Sequence, residues 1–256
     1  MIPDYLDFHP QTSPPKATVI LIHGFPDLSL AWRYQIPMLL SLGLRVVALD
    51  CMGYGLTGSS PNLKDYTFRT HADAIAGLAK SIGASRVILG GHDWGGMVVY
   101  RAAQWYPQLI SHVFSVATPY MPVMADKWVS TEELVKGPLP QFGYQLQLGS
   151  REHVVEKVVH GEQGVRRWLK GMYGGRSVES KKGMMSPDRG VDLELVGSGE
   201  EIGGTPFFDD DVSHLLSACR GIGALSNVDH RNSTITSTTS PATASKGLVI
   251  GTVHAG

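Results

Sequence analysis

The stretch ILGGHDWGGMVVY, Ile88 to Tyr100, decides how the chain is read. It opens as an apolar strand, bends through a glycine-rich turn and continues as the start of a helix. Asp93 stands at the tip of the turn. The helix behind it points its N-terminus, with its partial positive charge, at the bend and so favours negative charge there. A carboxylate in that place has two readings. It can cap the helix that begins at Trp94. It can also be a nucleophile displayed on a strained bend, G-x-Nu-x-G, where the close neighbours must be small.

The elements on either side make the bend part of a layered sheet. ATVILIHG and LRVVALD are short β-branched runs of the kind buried in parallel sheets, and RVILGGHD and ISHVFSVATP continue the series. LSLAWRYQIPMLLSLG reads as a helix closing on Gly43. TFRTHADAIAGLAKSIGA is a second helix with Ala72, Ile75, Leu78, Ala79 and Ile82 on one face. GGMVVYRAAQWYP is a third, stopped by Pro107. Strands alternating with helices predict an α/β fold, a parallel sheet with helices on both faces. DYLDF, near the N-terminus, can supply part of one further strand.

Beyond residue 119 the pattern changes. The sequence divides into an α/β core over 1–119, a helical region over 120–190 and an irregular, poorly ordered tail over 191–256. STEELVKG starts like a capped helix, with Ser130 or Thr131 ahead of Glu132 and Glu133. REHVVEKVVHGEQGVRRWLKGMYGG reads as two short amphipathic helices. GVDLELVGSGEEIGG has no clear period, and NSTITSTTSPATAS is too polar to supply a core. Asn232-Ser233-Thr234 matches a glycosylation acceptor by chance.

Composition narrows the function classes. The 256 residues carry a net charge of −1, which argues against nucleic acid or an anionic membrane as partner. Cys51 and Cys219 have no metal-type spacing and make no disulfide framework, so a reducing, cytoplasmic compartment is expected. No apolar run has transmembrane length, and the first residues lack the features of a signal peptide. No metal or cofactor is expected.

A second motif bears on the bend. His23-Gly24-Phe25-Pro26 closes the first long strand. When a nucleophile sits on such a bend, one oxyanion-hole amide follows it and the other comes from this loop. The donors here are the backbone N–H groups of Trp94 and Phe25. Pro26 has no N–H and stiffens the loop. The His23 side chain is read as a buried histidine held by local hydrogen bonds.

HGFPDLSLAWRYQIPMLLSLGLRVVALDCMGYGLT followed by GGHDWGG resembles the epoxide hydrolases of the α/β-hydrolase fold. The likeness is close from Ala17 to Pro119. It continues more loosely into a partial helical cap, where FGYQLQL resembles the segment carrying one of two ring-opening tyrosines. The resemblance implies that Asp93 is the catalytic nucleophile and Tyr144 the proton donor. It implies that Phe25 and Trp94 form the oxyanion hole, and that Phe25, Pro26, Trp94 and Tyr144 contact a small-molecule epoxide. A carboxylate suits this chemistry because it is ionised at neutral pH and needs no base to attack a strained ring.

The sequence departs from the family after the cap. No NWYR-like segment follows Tyr173, and neither the triad acid nor its histidine is identifiable. His214, His230 and His254 lack a strand-then-loop context, and Asp209, Asp210 and Asp211 read as a solvated acidic run. The expectation is a truncated or frame-altered relative whose pattern fades between Gly183 and Val212 and whose later strands are missing. It would leave ISHVFSVATP as a sheet edge and would alkylate Asp93 with little turnover. The rival readings are a non-catalytic pseudoenzyme and a haloalkane dehalogenase-like hydrolase. The latter reads His-Gly-Asn-Pro where this chain has Phe25. A dinucleotide-binding domain is disfavoured because HGFPDLS is not a G-x-G-x-x-G turn.

Overall fold

The computed structural model describes residues 2–11, 13–122, 129–150, 152–186 and 190–205. These fall in two compact units, one up to residue 122 and the other from residue 129 onward.

In the first unit the apolar runs form β1 (Tyr5–Phe8), β2 (Ala17–Ile22), β3 (Leu44–Leu49), β4 (Val87–His92) and β5 (Ile110–Val116). They lie in the order β1-β3-β2-β4-β5, parallel except for β1, which runs antiparallel to β3. Three α-helices connect them: α1 (Gln35–Ser41), α2 (Phe68–Ser81) and α3 (Trp94–Trp105). Among the described residues β5 pairs on one side only, with β4.

Strand β2 explains why the sheet is double-sided. Successive side chains of a strand point to opposite faces. Val19 and Leu21 pack with Trp32, Ile36 and Leu39 on one face. Ile20 and Ile22 pack with Ala72, Ile75, Leu78, Val99 and Ala102 on the other. All four strand residues are 1% exposed or less, so the strand reads as an unbroken apolar run. Each such burial stabilises the fold by about 1.5–3 kcal/mol. The predicted inward face of α2 holds: Ala72, Ile75, Leu78 and Ala79 are buried. Ile82 lies one residue past the helix and packs partly buried against the same cluster.

The first long helix differs from expectation. The chain makes a 3-10 turn at Ser29–Trp32, and α1 begins only at Gln35. Pro37 sets this boundary. Its missing N–H and fixed φ fit only the first turn of an α-helix, so α1 must start just before it. The helix run still closes on Gly43, at φ 82.

The second unit contains α4 (Thr131–Lys136), α5 (Gly143–Leu148), α6 (Gly161–Met172), a two-stranded ribbon of β6 (Met185–Ser186) and β7 (Gly190–Val191), and α7 (Leu193–Ser198). Ser130 caps α4 in a full capping box with Glu133. The expected pair of helices in REHVVEKVVHGEQGVRRWLKGMYGG is a correction, because only α6 forms. Residues 152–159 stay as successive turns. Val154, Val155, Val158 and Val159 are β-branched and weak helix formers, and His153 sits at φ 52. In α6, Val165, Trp168 and Leu169 turn inward at i, i+3 and i+4. The stretch expected to be irregular also holds structure: Asp192 caps α7, and Leu195 and Val196 are buried. The serine/threonine-rich segment and His214, His230 and His254 lie outside the described residues. No helix among the described residues is long and apolar enough to cross a membrane.

Candidate active site

The bend after β4 is strained at one residue. Asp93 has φ 51 and ψ −120, a region that non-glycine residues avoid. It stands at the N-cap position of α3, yet its side chain makes no capping hydrogen bond. The capping alternative therefore fails. Instead the Phe25 amide N–H donates to Asp93 Oδ1 at 3.0 Å.

The main chain of the bend is tied down on two sides. The Asp93 N–H, one residue past the end of β4, donates to the carbonyl of Val116, the last residue of β5, at 3.2 Å. The Thr118 hydroxyl donates to the Asp93 carbonyl at 2.6 Å. These bonds hold a conformation that the residue would not adopt alone. Close packing adds to them. A Cβ on Gly24 would lie 2.5 Å from Asp93 Cβ, and one on Gly95 would lie 2.3 Å from the Ile22 carbonyl oxygen. Side chains at either place would push α3 and the loop after β2 apart.

That loop is pinned along its length. His23 is buried, and its Nε2 accepts from the Cys51 N–H at 3.0 Å. An amide can only donate, so Nδ1 carries the ring proton and donates to the Gly24 carbonyl at 2.8 Å. Burial lowers the pKa of His23, which keeps the ring neutral and structural. Farther on, the Ser29 N–H donates to the buried Asp50 carboxylate at 2.7 Å. The Phe25–Pro26 peptide is cis.

Between these anchors lies a group that the sequence reading passed over. Asp27 is buried, 5% exposed, and its Oδ2 is 3.2 Å from Nδ1 of His92, the residue preceding the nucleophile candidate. The signal in the sequence was an acid in an otherwise apolar and glycine-rich loop, HGFPD, with a histidine inside the motif of the bend. Thr118 was missed as well; its place two residues beyond β5 has no sequence signature.

Charge at the bend is balanced between opposing effects. Burial pushes the Asp93 carboxyl above the ordinary aspartate value, while the Phe25 and Trp94 amides and the nearby His92 pull it down and Asp27 pushes it up. His92 is raised, first by its hydrogen bond to Asp27, against an opposing effect of burial. The site thus holds a carboxylate partly stripped of water, facing main-chain donors. Loss of water raises the reactivity of a carboxylate toward an electrophilic carbon, and the donors fix its orientation.

The structure brings Phe25, Asp93 and Trp94 together in the first unit. The Trp94 ring stands 6.3 Å from that of Phe68, at an interplanar angle of 33°. Tyr144 lies in the second unit, on α5, half-buried, with its ring 6.3 Å from Phe142 and its hydroxyl 3.4 Å from Gln145 Nε2. Gln147 of the same helix is bonded twice to the Val191 backbone, which joins α5 to β7. A separate cavity of about 20 Å³, lined by Met52, Thr57, His71 and Val98 among others, has room for one water and does not touch Asp93. Among the described residues no cluster of histidine, cysteine and acidic groups could hold a metal ion.

Comparison with known proteins gives consistent matches. The model of the alpha/beta hydrolase fold family matches residues 17–148. Epoxide hydrolase srdG of Neurospora crassa is 42% identical over 204 residues, covering 77% of this chain and 57% of that protein. Bifunctional epoxide hydrolase 2 of Sus scrofa is 39% identical over 128 residues, covering 50% of this chain and 22% of that protein. The chain thus spans little more than half the length of the first of these relatives. Among solved structures, epoxide hydrolase VrEH1 of Vigna radiata superposes with a TM-score of 0.70 at 21% identity, over 90% of this chain and 69% of that one.

Proposed function

The chain belongs to the alpha/beta hydrolase fold family, and on that premise we propose that it opens epoxides through an ester formed on Asp93. Oδ1 of Asp93 is engaged by the Phe25 amide, which leaves Oδ2 as the attacking atom. Oδ2 forms a bond to a ring carbon, the carbon–oxygen bond on that carbon breaks, and the ring oxygen leaves as an alkoxide. Tyr144 gives that oxygen its proton, acting as general acid. The second step, addition of water to the ester carbonyl of Asp93, needs a base to take the water's proton; with the triad histidine and acid not identifiable in the sequence, the ester is expected to turn over slowly. The oxygen on which negative charge then develops is Oδ1, next to the Phe25 and Trp94 amides that serve as the oxyanion hole. Collapse releases a diol and restores the carboxylate. The Trp94 ring, Phe25 and Pro26 supply apolar surface for the substrate.

The observation that carries this reading is the Asp93 side chain. It is held at a positive φ with one carboxylate oxygen on the Phe25 amide, and it is not used as a helix cap. The named relatives support the choice of epoxide over other electrophiles. We keep the expected cytoplasmic location, which rests on the sparse cysteine usage. Incubation with styrene oxide tests the function. Epoxide consumption with a matching mass gain on the protein or diol in solution is expected, and Asp93→Asn abolishes all three. Halide release from a haloalkane with no reaction of the epoxide would shift the assignment to a dehalogenase.

A further inference from the structure

Two cross-links join the loop after β2 to the bend after β4, and they run side by side. The first is the Phe25 N–H on Asp93 Oδ1 at 3.0 Å. The second is Asp27 Oδ2 against His92 Nδ1 at 3.2 Å. On each strand of this ladder the partners are close in sequence: Phe25 and Asp27 are two residues apart, and His92 and Asp93 are adjacent. A turn closed by the Asp27 N–H on the Gly24 carbonyl at 3.0 Å makes the loop segment one unit. Moving Asp27 therefore moves Phe25.

We propose that the Asp27–His92 pair is a latch that seats the Phe25 amide on Asp93, and that protonated His92 is the closed state of this latch. Both are positioning residues for the ring-opening step, and the inference rests on the function proposed above.

The chemistry of the pair fits that role. Asp27 is a buried carboxylate, and such a group is costly unless a cation or donors face it. His92 supplies the facing cation when protonated, and its partly exposed side chain lets solvent exchange the proton. The charged groups around His92 are Asp27 from the loop and Asp93 on its own bend. From the neighbouring strand, β5 sets the apolar Val116 opposite it. His23, close to the same two aspartates, is kept neutral by burial. Loss of the His92 proton removes the cation from both aspartates at once. Asp27 then lacks its counter-charge and is drawn toward water, taking Phe25 with it. Asp93 then loses the amide contact that orients its carboxylate.

The test measures the rate of Asp93 alkylation by styrene oxide in single-turnover mass spectrometry, between about pH 5 and about pH 9, across the histidine titration range. The expected wild-type profile has a descending alkaline limb. His92→Gln removes that limb and lowers the rate roughly tenfold, part of the about 10²-fold that misplacing a reacting group by about 1 Å can cost. Asp27→Asn moves the limb to lower pH, because the carboxylate that favours the protonated ring is gone, and Asp27→Glu restores it. A wild-type limb that survives unchanged in His92→Gln or Asp27→Asn overturns the proposal. A second measurement uses the wild-type protein alone and needs neither activity nor a folded variant. The Phe25 amide resonance is expected to shift along the His92 titration curve, and a Phe25 signal indifferent to that titration overturns the latch. Absence of alkylation at every pH, with the Phe25 signal still following His92, would sink the epoxide reading and leave the latch standing.

Discussion

The Phe25 main-chain N–H and the Asp93 carboxylate meet at 3.0 Å across 68 residues of chain. This contact depends on Gly24. A Cβ there would stand 2.5 Å from Asp93 Cβ and 2.7 Å from its Oδ1, so the loop and the bend could not keep their approach. Displacements of about 1 Å at a reacting centre can cost about 10²-fold in rate. Gly24→Ala is expected to slow alkylation of Asp93 by that order and to lower the melting temperature. An alanine variant alkylated at the wild-type rate would show that the contact is incidental.

Asp93 should trade stability for reactivity. Burial raises its folded-state pKa above the ordinary value, the net result despite the Phe25 and Trp94 amides. For an acid raised in this way the folded state holds the proton more tightly than the unfolded state does. Its contribution is fully present below the unfolded value, near about 3.9, and is lost as pH rises through the folded value. At neutral pH the ionised side chain is therefore a liability. Asp93→Asn is expected to melt at a higher temperature than wild type at neutral pH, with the difference shrinking in acid, and to form no ester. Calorimetry at two pH values reads the first effect; an asparagine variant less stable at neutral pH would rule it out.

Tyr144 carries a separate expectation because its proposed role is confined to one proton. Removing the hydroxyl by Tyr144→Phe leaves the ring near Phe142 and the helix α5 in place. Loss of a general acid costs about 10²–10⁴-fold. Alkylation slowed by that factor with an unchanged melt is the expected result. Equal rates in the two proteins would move the proton donor elsewhere.

The acid side of the stability curve reports on the sheet instead. Arg45 donates from Nε and Nη2 to the two carboxylate oxygens of Asp7, at 3.0 and 2.6 Å, and joins β1 to β3. That hydrogen-bonded pairing holds the Asp7 carboxyl below its usual pKa. An acid lowered in the fold contributes stability above its unfolded value, and this is lost as pH falls through the folded value. Asp7→Asn is expected to lower the melting temperature modestly at neutral pH and to narrow the gap to wild type in strong acid. A constant gap across that range would remove the ion pair from the account.

How much of this was legible depended on whether the cause was local. β2 and β3 could be read because both of their faces are buried, which writes an unbroken apolar run into the sequence. The bend was legible because its glycines and its acid are adjacent in the chain. α1 starts later than the apolar spacing of its segment predicts, because Pro37 fits only the first turn of a helix. Residues 152–159 form turns and not the helix that their apolar spacing predicts, because the β-branched valines are weak helix formers. Asp27 and His92 escaped because each is unremarkable in its own segment, and their meaning arises only from a contact spanning 65 residues. Thr118 belongs to the same class, with a hydroxyl made important by a carbonyl 25 residues away.

Peptide mapping of the protein after exposure to styrene oxide tests the central claim most directly. The account predicts a mass increment of one epoxide on the peptide containing Asp93, bound as an ester that hydroxylamine removes. An increment confined to Cys51, a histidine or another side chain, with Asp93 unmodified and no diol formed, would contradict it.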